Sequence, residues 1–484
     1  MKTIFLSILI FSTSILFSNS IMAQNQNAII GSWKGELAVS GTKLPLLFHI
    51  QKAENKATFS ATMDSPAQGA KDIPVSEVIF IENNLTINMP NLGITYEAKL
   101  ISETEIKGTF KQGGQSFPLV LNKIEKNQDE KETNTLNRPQ EPKAPFDYKI
   151  EDVKFQNKQT KEETILAGTL TLPKAIDKNK KFPVVILISG SGSQNRNQEI
   201  LGHKPFLVIA DYFTNNGIAV LRYDDRGTAQ STGTFKGASS QDFATDVEAA
   251  IDYLKSRNDI DTKNIGLIGH SEGGMIAPMV AANRKKDIAF IVLLAGVGVN
   301  GSELLLNQQQ AIGKASEMSD EDLQKIATSN QAIFELIKTN TDIKILSQKI
   351  KNYLDETILD EEVPTTMSKK DFINLQISQL TDEWLLYFLR YTPKENLSKV
   401  SCPVLAINGE KDLQVDAQLN LTAIANALKE NGNKNVMTKS FPNLNHLFQN
   451  SETGLPSEYE TLEETFSPLV LEFMKEWIEK QSKK

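Results

Sequence analysis

The chain has 484 residues, too many for one ordinary hydrophobic core, so two or three domains are expected. Hydrophobic residues make up 40% and charged residues 23%, the balance of a soluble globular protein rather than a disordered or membrane-embedded one. The 52 basic and 60 acidic side chains leave a net charge of −8, which argues against a nucleic-acid surface, because phosphate contacts need Lys and Arg in clustered excess.

Lys2 precedes an apolar run from Ile4 to Phe17, and small and polar residues follow up to Ala23. This is the pattern of a secretory signal peptide spanning residues 1–23, with cleavage expected after Ala23 and an exported, periplasmic or secreted product. The apolar run of about 14 residues is shorter than the ~20 that a bilayer core requires, so no stable membrane insertion is expected after cleavage. From residue 27 to 125 short alternating apolar runs, such as Val78-Ile79-Phe80-Ile81, are separated by Gly, Asn and Pro clusters. That spacing predicts a small all-β domain. Its opening Gly31-Ser32-Trp33 followed by Gly35 resembles the start of lipocalin-like barrels. Such a domain either guides a small ligand or is a structural appendage with a filled core. Residues 126–146 carry Asn, Gln, Glu, Lys and three prolines with few apolar side chains, and read as a linker.

From residue 147 to 484 strand and helix patterns alternate, which predicts a largely parallel sheet with crossover helices. Strands are expected at 165–172, 184–189, 219–223, 265–268, 288–294, 404–408 and 436–441, and helices at 205–215, 241–257, 273–283, 418–430 and 462–480. Val184-Val185-Ile186-Leu187-Ile188 is apolar throughout, as strands buried on both faces are. The stretch from about 302 to 391 has helical periodicity and no convincing strand, and reads as a helical cap inserted between two sheet strands. Trp384, Tyr387 and Phe388 stand there at helical spacing, suited to core packing or to a substrate-lining wall. Cys402, the single cysteine, excludes an intrachain disulfide and reads as a buried small hydrophobe. With four histidines and no cysteine pair, no metal or other cofactor is expected.

The strongest local signal is Ile265-Gly266-Leu267-Ile268-Gly269-His270-Ser271-Glu272-Gly273-Gly274, an apolar strand, then Gly-X-Ser-X-Gly, then a small-residue helix. In that context the pattern is a nucleophile elbow, in which Ser271 occupies a strained turn while Gly269 and Gly273 let strand and helix approach closely. His270 is read as a flanking residue whose side chain points away from the serine hydroxyl. A serine hydroxyl needs a base, and the base an orienting acid, in the chain order Ser, Asp or Glu, His. His446 is the only histidine after the elbow, and Asp412 follows the strand at 404–408, with Glu410 and Asp416 as alternative acids. The developing oxyanion needs two donors. One is the backbone N–H of Glu272, whose carboxylate is expected to be solvated; the other comes from the loop Ser189-Gly190-Ser191-Gly192-Ser193-Gln194, with Ser191 the first choice and Gly192 the second. A phosphate-binding loop would need a Gly-Lys-Ser/Thr that does not follow.

These segments, with Tyr223-Asp224-Asp225-Arg226-Gly227 through Gly233, resemble the α/β-hydrolase superfamily, and most nearly exported esterases of the EstD type. Ser189 stands where a histidine is usual and Ala229 where a glycine is common. The resemblance implies an α/β-hydrolase domain, a preceding β domain, and a role for the segment around Arg226 in bracing active-site loops. The expected function is hydrolysis of carboxylic esters of short to medium acyl length through an acyl-enzyme. A thioesterase or serine peptidase would use the same residues. A non-catalytic exported binding protein and an acyl transferase are the remaining alternatives. The expected partner is a small-molecule ester, and oligomeric state cannot be read from the chain.

Overall fold

A computed structural model of the protein describes residues 28–39, 42–52, 59–65, 70–112, 115–124, 137–174, 180–360, 363, 368–430 and 432–482. The expected signal peptide and residues 126–136 of the expected linker lie outside the described residues. The chain divides into two compact units, Met1–Thr135 with Tyr353–Gln376, and Leu136–Asn352 with Ile377–Lys484. Among the described residues no helix is long and apolar enough to cross a membrane.

In the first unit β1 (Gly31–Val39), β2 (Thr42–Lys52), β3 (Phe59–Ser65), β4 (Ala70–Pro74), β5 (Glu77–Ile81), β6 (Asn84–Met89), β7 (Ile94–Ser102), β8 (Glu105–Gln112) and β9 (Gln115–Ile124) form one antiparallel sheet. Its order, β4-β3-β2-β1-β9-β8-β7-β6-β5, curls into a half-barrel. Alternation decides which face is dry: along β5 and β6, Val78, Phe80, Leu85, Ile87 and Met89 are buried, whereas Ile79 and Ile81 are exposed. Trp33, Phe48, Tyr96 and Phe110 fill the core. The polar tips of two of them are satisfied there, Trp33 Nε1 donating to Ile29 O at 2.8 Å and the Tyr96 hydroxyl to Leu119 O at 3.0 Å.

The second unit is built on an eight-stranded sheet in the order β10-β11-β13-β12-β14-β15-β16-β17. The strands are β10 (Tyr148–Asn157), β11 (Thr164–Pro173), β12 (Phe182–Ile188), β13 (Ala219–Tyr223), β14 (Ile260–His270), β15 (Phe290–Leu294), β16 (Val404–Gly409) and β17 (Val436–Phe441). β10, β11 and β13 pair antiparallel; from β13 through β17 every pairing is parallel. β10 is a strand that the sequence pattern does not reveal, because its first half is polar and only Val153, Phe155 and Asn157 turn inward. The central strands are buried on both faces, and each fully buried Val, Ile or Leu contributes roughly 1.5–3 kcal/mol.

The crossover helices are α1 (Pro205–Asn215), α2 (Ser240–Lys255) and α3 (Glu272–Asn283). The segment expected to be helical consists of α4 (Gly301–Ala315), α5 (Asp320–Thr339), α6 (Ile343–Thr357), α7 (Lys369–Leu380) and α8 (Glu383–Arg390), followed by the short α9 (Lys394–Leu397). Side-chain caps start several of them: Asn300 accepts from Glu303 N, Ser319 from Asp322 N, and Asp382 from Trp384 N. The chain closes with α10 (Ala417–Glu430) and α11 (Pro468–Ser482), the last beginning at its proline rather than at Leu462, since proline suits the first helical turn. β12 lies between β13 and β14, so the chain leaves it toward opposite sides. The loops after β12 and β14 therefore flank a crevice at the carboxyl ends of the strands.

Candidate active site

Ser271 stands between β14 and α3 at φ 54° and ψ −115°, a conformation costing a non-glycine residue of order 1–3 kcal/mol. The turn is held by Ser271 N donating to Leu294 O at 2.8 Å and by Gly274 N donating to Ser271 O at 2.9 Å. The glycines are sterically required. A Cβ on Gly269 would lie 2.0 Å from Gly273 O, and one on Gly273 would lie 2.2 Å from Ile188 O. Strand, elbow and helix thus touch backbone to backbone.

Beyond β16 and β17 the structure brings Asp412 and His446 together. Both side chains are buried, and His446 Nδ1 lies 2.8 Å from Asp412 Oδ2. The other carboxylate oxygen, Oδ1, accepts from Gln414 N and Val415 N, each at 2.8 Å. The alternative acids are engaged elsewhere: Glu410 accepts from Ser440 Oγ, and Asp416 caps α10 through Leu419 N. The loop carrying His446 is folded on Asn445, whose Oδ1 accepts from Leu447 N and Gln449 N at 3.0 Å. No hydrogen bond joins Ser271 Oγ to His446 among the described residues; the structure places them as neighbours through His270, whose ring centroid is 4.7 Å from that of His446. Catalytic hydrogen bonds in ligand-free sites are often formed only with substrate.

The loop from Ser189 to Gln194 passes close to the elbow. A Cβ on Gly190 would come within 3.3 Å of Ser271 Cβ. Ser191 N, like the helix-initial Glu272 N, has no hydrogen-bond partner among the described residues, whereas Gly190 N is taken by Gln198 Oε1 at 3.1 Å. Gly192 lies at φ 89° on the exposed turn. Both ends of the loop are clamped by Asp225, which accepts from Ser189 Oγ at 2.7 Å and Gln194 N at 2.9 Å. Burial pushes the Asp225 carboxyl up to about 7 against those two hydrogen bonds, with Asp246 and Glu272 adding to the rise. Next to it, Arg226 Nε pairs with Asp246 Oδ2 at 2.7 Å inside the protein.

The Glu272 side chain corrects the sequence reading. It is 3% exposed rather than solvated, and its Oε1 accepts from Ser240 Oγ at 2.5 Å and Trp384 Nε1 at 2.8 Å. Burial raises its pKa, opposed by those two donors. Trp384 stacks on Phe388, with ring centroids 5.3 Å apart, so α8 is tied directly to the residue after the serine. Tyr387 and Tyr391 instead line a groove of about 770 Å³ with Gln241 and Arg390. Sequence reasoning also missed Gln198, Asn445 and the engagement of His270. A polar residue bonding across the fold leaves no local pattern to find.

Two histidines are held neutral by burial. His270 is pushed down to about 3 and His203 to about 4; His203 donates from Nε2 to Tyr459 O at 2.8 Å and meets Thr465 Oγ1 at Nδ1. Unfolding exposes both to water, where a histidine titrates near ~6.5. Because the folded values are depressed, their contribution to stability is complete above that pH and is lost as pH falls toward 4. The melting temperature is therefore expected to drop between pH 7 and pH 4.5, and His203→Asn to flatten the dependence. Equal slopes in variant and parent would refute this assignment.

Esterase EstD from Thermotoga maritima is 26% identical over 326 residues, 65% of this chain and 66% of EstD. Dipeptidyl-peptidase 5 from Porphyromonas gingivalis is 28% identical over 137 residues, 26% of this chain and 19% of that protein. The chain thus spans less than two thirds of the length of either relative. Among solved structures, Est1E from Butyrivibrio proteoclasticus with bound ferulic acid superposes with a TM-score of 0.40 at 17% identity, covering 69% of this chain and 100% of that one. The X-Pro dipeptidyl-peptidase family, S15, matches residues 161–441, from β11 to the end of β17 and so across the elbow and Asp412. With more than half of its length so matched, the chain belongs to the X-Pro dipeptidyl-peptidase (S15) family.

Proposed function

We propose that the protein is an exported serine hydrolase that cleaves carboxylic esters through an acyl-enzyme, with Ser271 as nucleophile, His446 as base and Asp412 as the acid that orients it. The observation carrying this reading is the buried Asp412–His446 pair at 2.8 Å beside a serine held at positive φ. His446 Nε2 takes the Ser271 proton as Oγ attacks the carbonyl carbon, then returns it to the departing alcohol. The same nitrogen then activates water to release the acid. Glu272 N and Ser191 N receive the oxyanion, each donor contributing roughly 3–4 kcal/mol to the transition state. Likeness to EstD over 65% of the chain favours an ester over a peptide. Export rests on the pattern of residues 1–23.

The S15 family points to a second reading, release of X-Pro dipeptides from peptides, with the same residues. The test is hydrolysis of p-nitrophenyl acetate, butyrate and octanoate beside Ala-Pro-p-nitroanilide by the chain lacking residues 1–23. The ester reading expects turnover of at least one ester and little of the anilide. Turnover of the anilide alone would replace it with the peptidase.

A further inference from the structure

Three parts of the site come from distant places in the chain: the loop after β12, the elbow after β14, and the His446 loop after β17. One chain of hydrogen bonds joins all three. Gly190 N lies 3.1 Å from Gln198 Oε1, Gln198 Nε2 lies 2.8 Å from His270 Nδ1, and His270 Nε2 lies 2.9 Å from His446 O. Gln198 is 5% exposed and His270 6%. The direction of every link follows from its ends. His446 O can only accept, so His270 carries its proton on Nε2; Nδ1 is then an acceptor, the Gln198 amide must donate to it, and Oε1 is left to accept from Gly190 N–H. Each polar atom in the chain has one role, and no alternative tautomer satisfies all of them.

We propose that Gln198 and His270 are positioning residues for the reaction, forming a directional relay that sets the oxyanion loop and the base against the nucleophile. Gly190 immediately precedes Ser191, the proposed oxyanion donor, so the relay anchors the peptide unit next to the one that presents that N–H. At its other end it holds the carbonyl of His446, while Asp412 holds the ring. The loop and the base are therefore placed by the residue adjoining Ser271 itself. Gln198 adopts φ 49°, an uncommon conformation for glutamine, and the bonds at both ends of its amide account for its being held there. Burial, reinforced by the neighbouring His446 ring, keeps His270 neutral as the relay requires.

The inference rests on the serine-hydrolase reading, and its test separates the two. Glutamine at 270 puts an N–H where Nε2 is and retains the His446 link, whereas asparagine puts an oxygen where Nδ1 is and retains the Gln198 link. Gln198→Leu and His270→Gln should each lower kcat about 10- to 100-fold with KM within about threefold, the scale expected when reacting groups are misplaced by about an ångström. Hydrogen–deuterium exchange over residues 189–195 should rise in both. The double variant Gln198→Leu/His270→Gln should be no worse than either single, since both cut the same link. His270→Asn should lower kcat while leaving exchange over 189–195 at the parental rate. The relay is overturned if kcat stays within twofold of the parent in Gln198→Leu and His270→Asn, or if all three variants alter exchange over 189–195 alike. Should the parent turn over no ester or peptide, the proposed function fails, and the exchange pattern still decides the relay.

Discussion

Ser271→Ala and His446→Ala are each expected to lower kcat by ~10⁵–10⁶, and Asp412→Asn by ~10⁴, with the double and triple variants no slower than the serine variant alone. The smaller loss at Asp412 has a specific origin in this site. Oδ1 is bound by two backbone N–H groups, from Gln414 and Val415, and Oδ2 alone faces His446 Nδ1. An asparagine at 412 must give its oxygen to those two donors, because its NH₂ group would oppose them. The NH₂ then points at Nδ1 and forces the His446 proton onto Nε2, the nitrogen that should accept from Ser271. The base is thus disabled with the loop geometry kept. Asp412→Ala instead leaves the Gln414 N–H and the buried Val415 N–H without an acceptor, the buried one costing about 1–3 kcal/mol, and should lower the melting temperature as well. Kinetics on the best ester, with melting curves for each variant, check the argument. Equal kcat for Asp412→Asn and the parent would remove Asp412 from the mechanism.

That the sequence offers Ser271, His446 and Asp412 as candidates, and not Gln198, has a physical reason. The elbow must be a strand, a strained serine and a helix in contiguous residues, so its chemistry and its backbone demands appear in one stretch. Asp412 follows β16, whose apolar run is plain, His446 follows the more polar β17, and no other histidine competes after the elbow. The fully buried strands β12 to β16 were legible for the same reason, since two dry faces leave no polar position. β10 was not, because half of it faces water, nor was the start of α11, where periodicity ran on through residues before Pro468. Glu272 was misread because a carboxylate next to a helix start is usually solvated. Its partners, Ser240 and Trp384, lie 32 and 112 residues away, and nothing local announces them. The relay through Gln198 and His270 spans 176 residues at its longest link.

Gly273→Ala is expected to destroy the site through one methyl group. Its Cβ would stand 2.2 Å from Ile188 O and 2.6 Å from Ser189 O, both backbone atoms in or just after the central strand β12. Neither can turn aside as a side chain would, so α3 must retreat from the sheet or the end of β12 must bend. Overpacking of this kind costs typically 1–3 kcal/mol and occasionally more. At ~3 kcal/mol the melting temperature falls by roughly 4–5 °C for a unit of this size. The loss of activity should exceed the loss of stability. A shift of about an ångström moves Glu272 N and Ser271 away from Ser191 N together, enough for a ~100-fold fall in kcat in protein that remains folded. Gly192→Ala provides the contrast, because its Cβ would meet nothing closer than the tip of Gln194 at 3.7 Å. Only the strain of φ 89° opposes it, of order 1–3 kcal/mol, and its N–H is unchanged. Melting and kinetics of the two variants side by side distinguish steric contact between helix and strand from general intolerance of the loop. If Gly192→Ala were the more damaging to kcat, the oxyanion loop rather than the closeness of α3 to β12 would set the precision of the site.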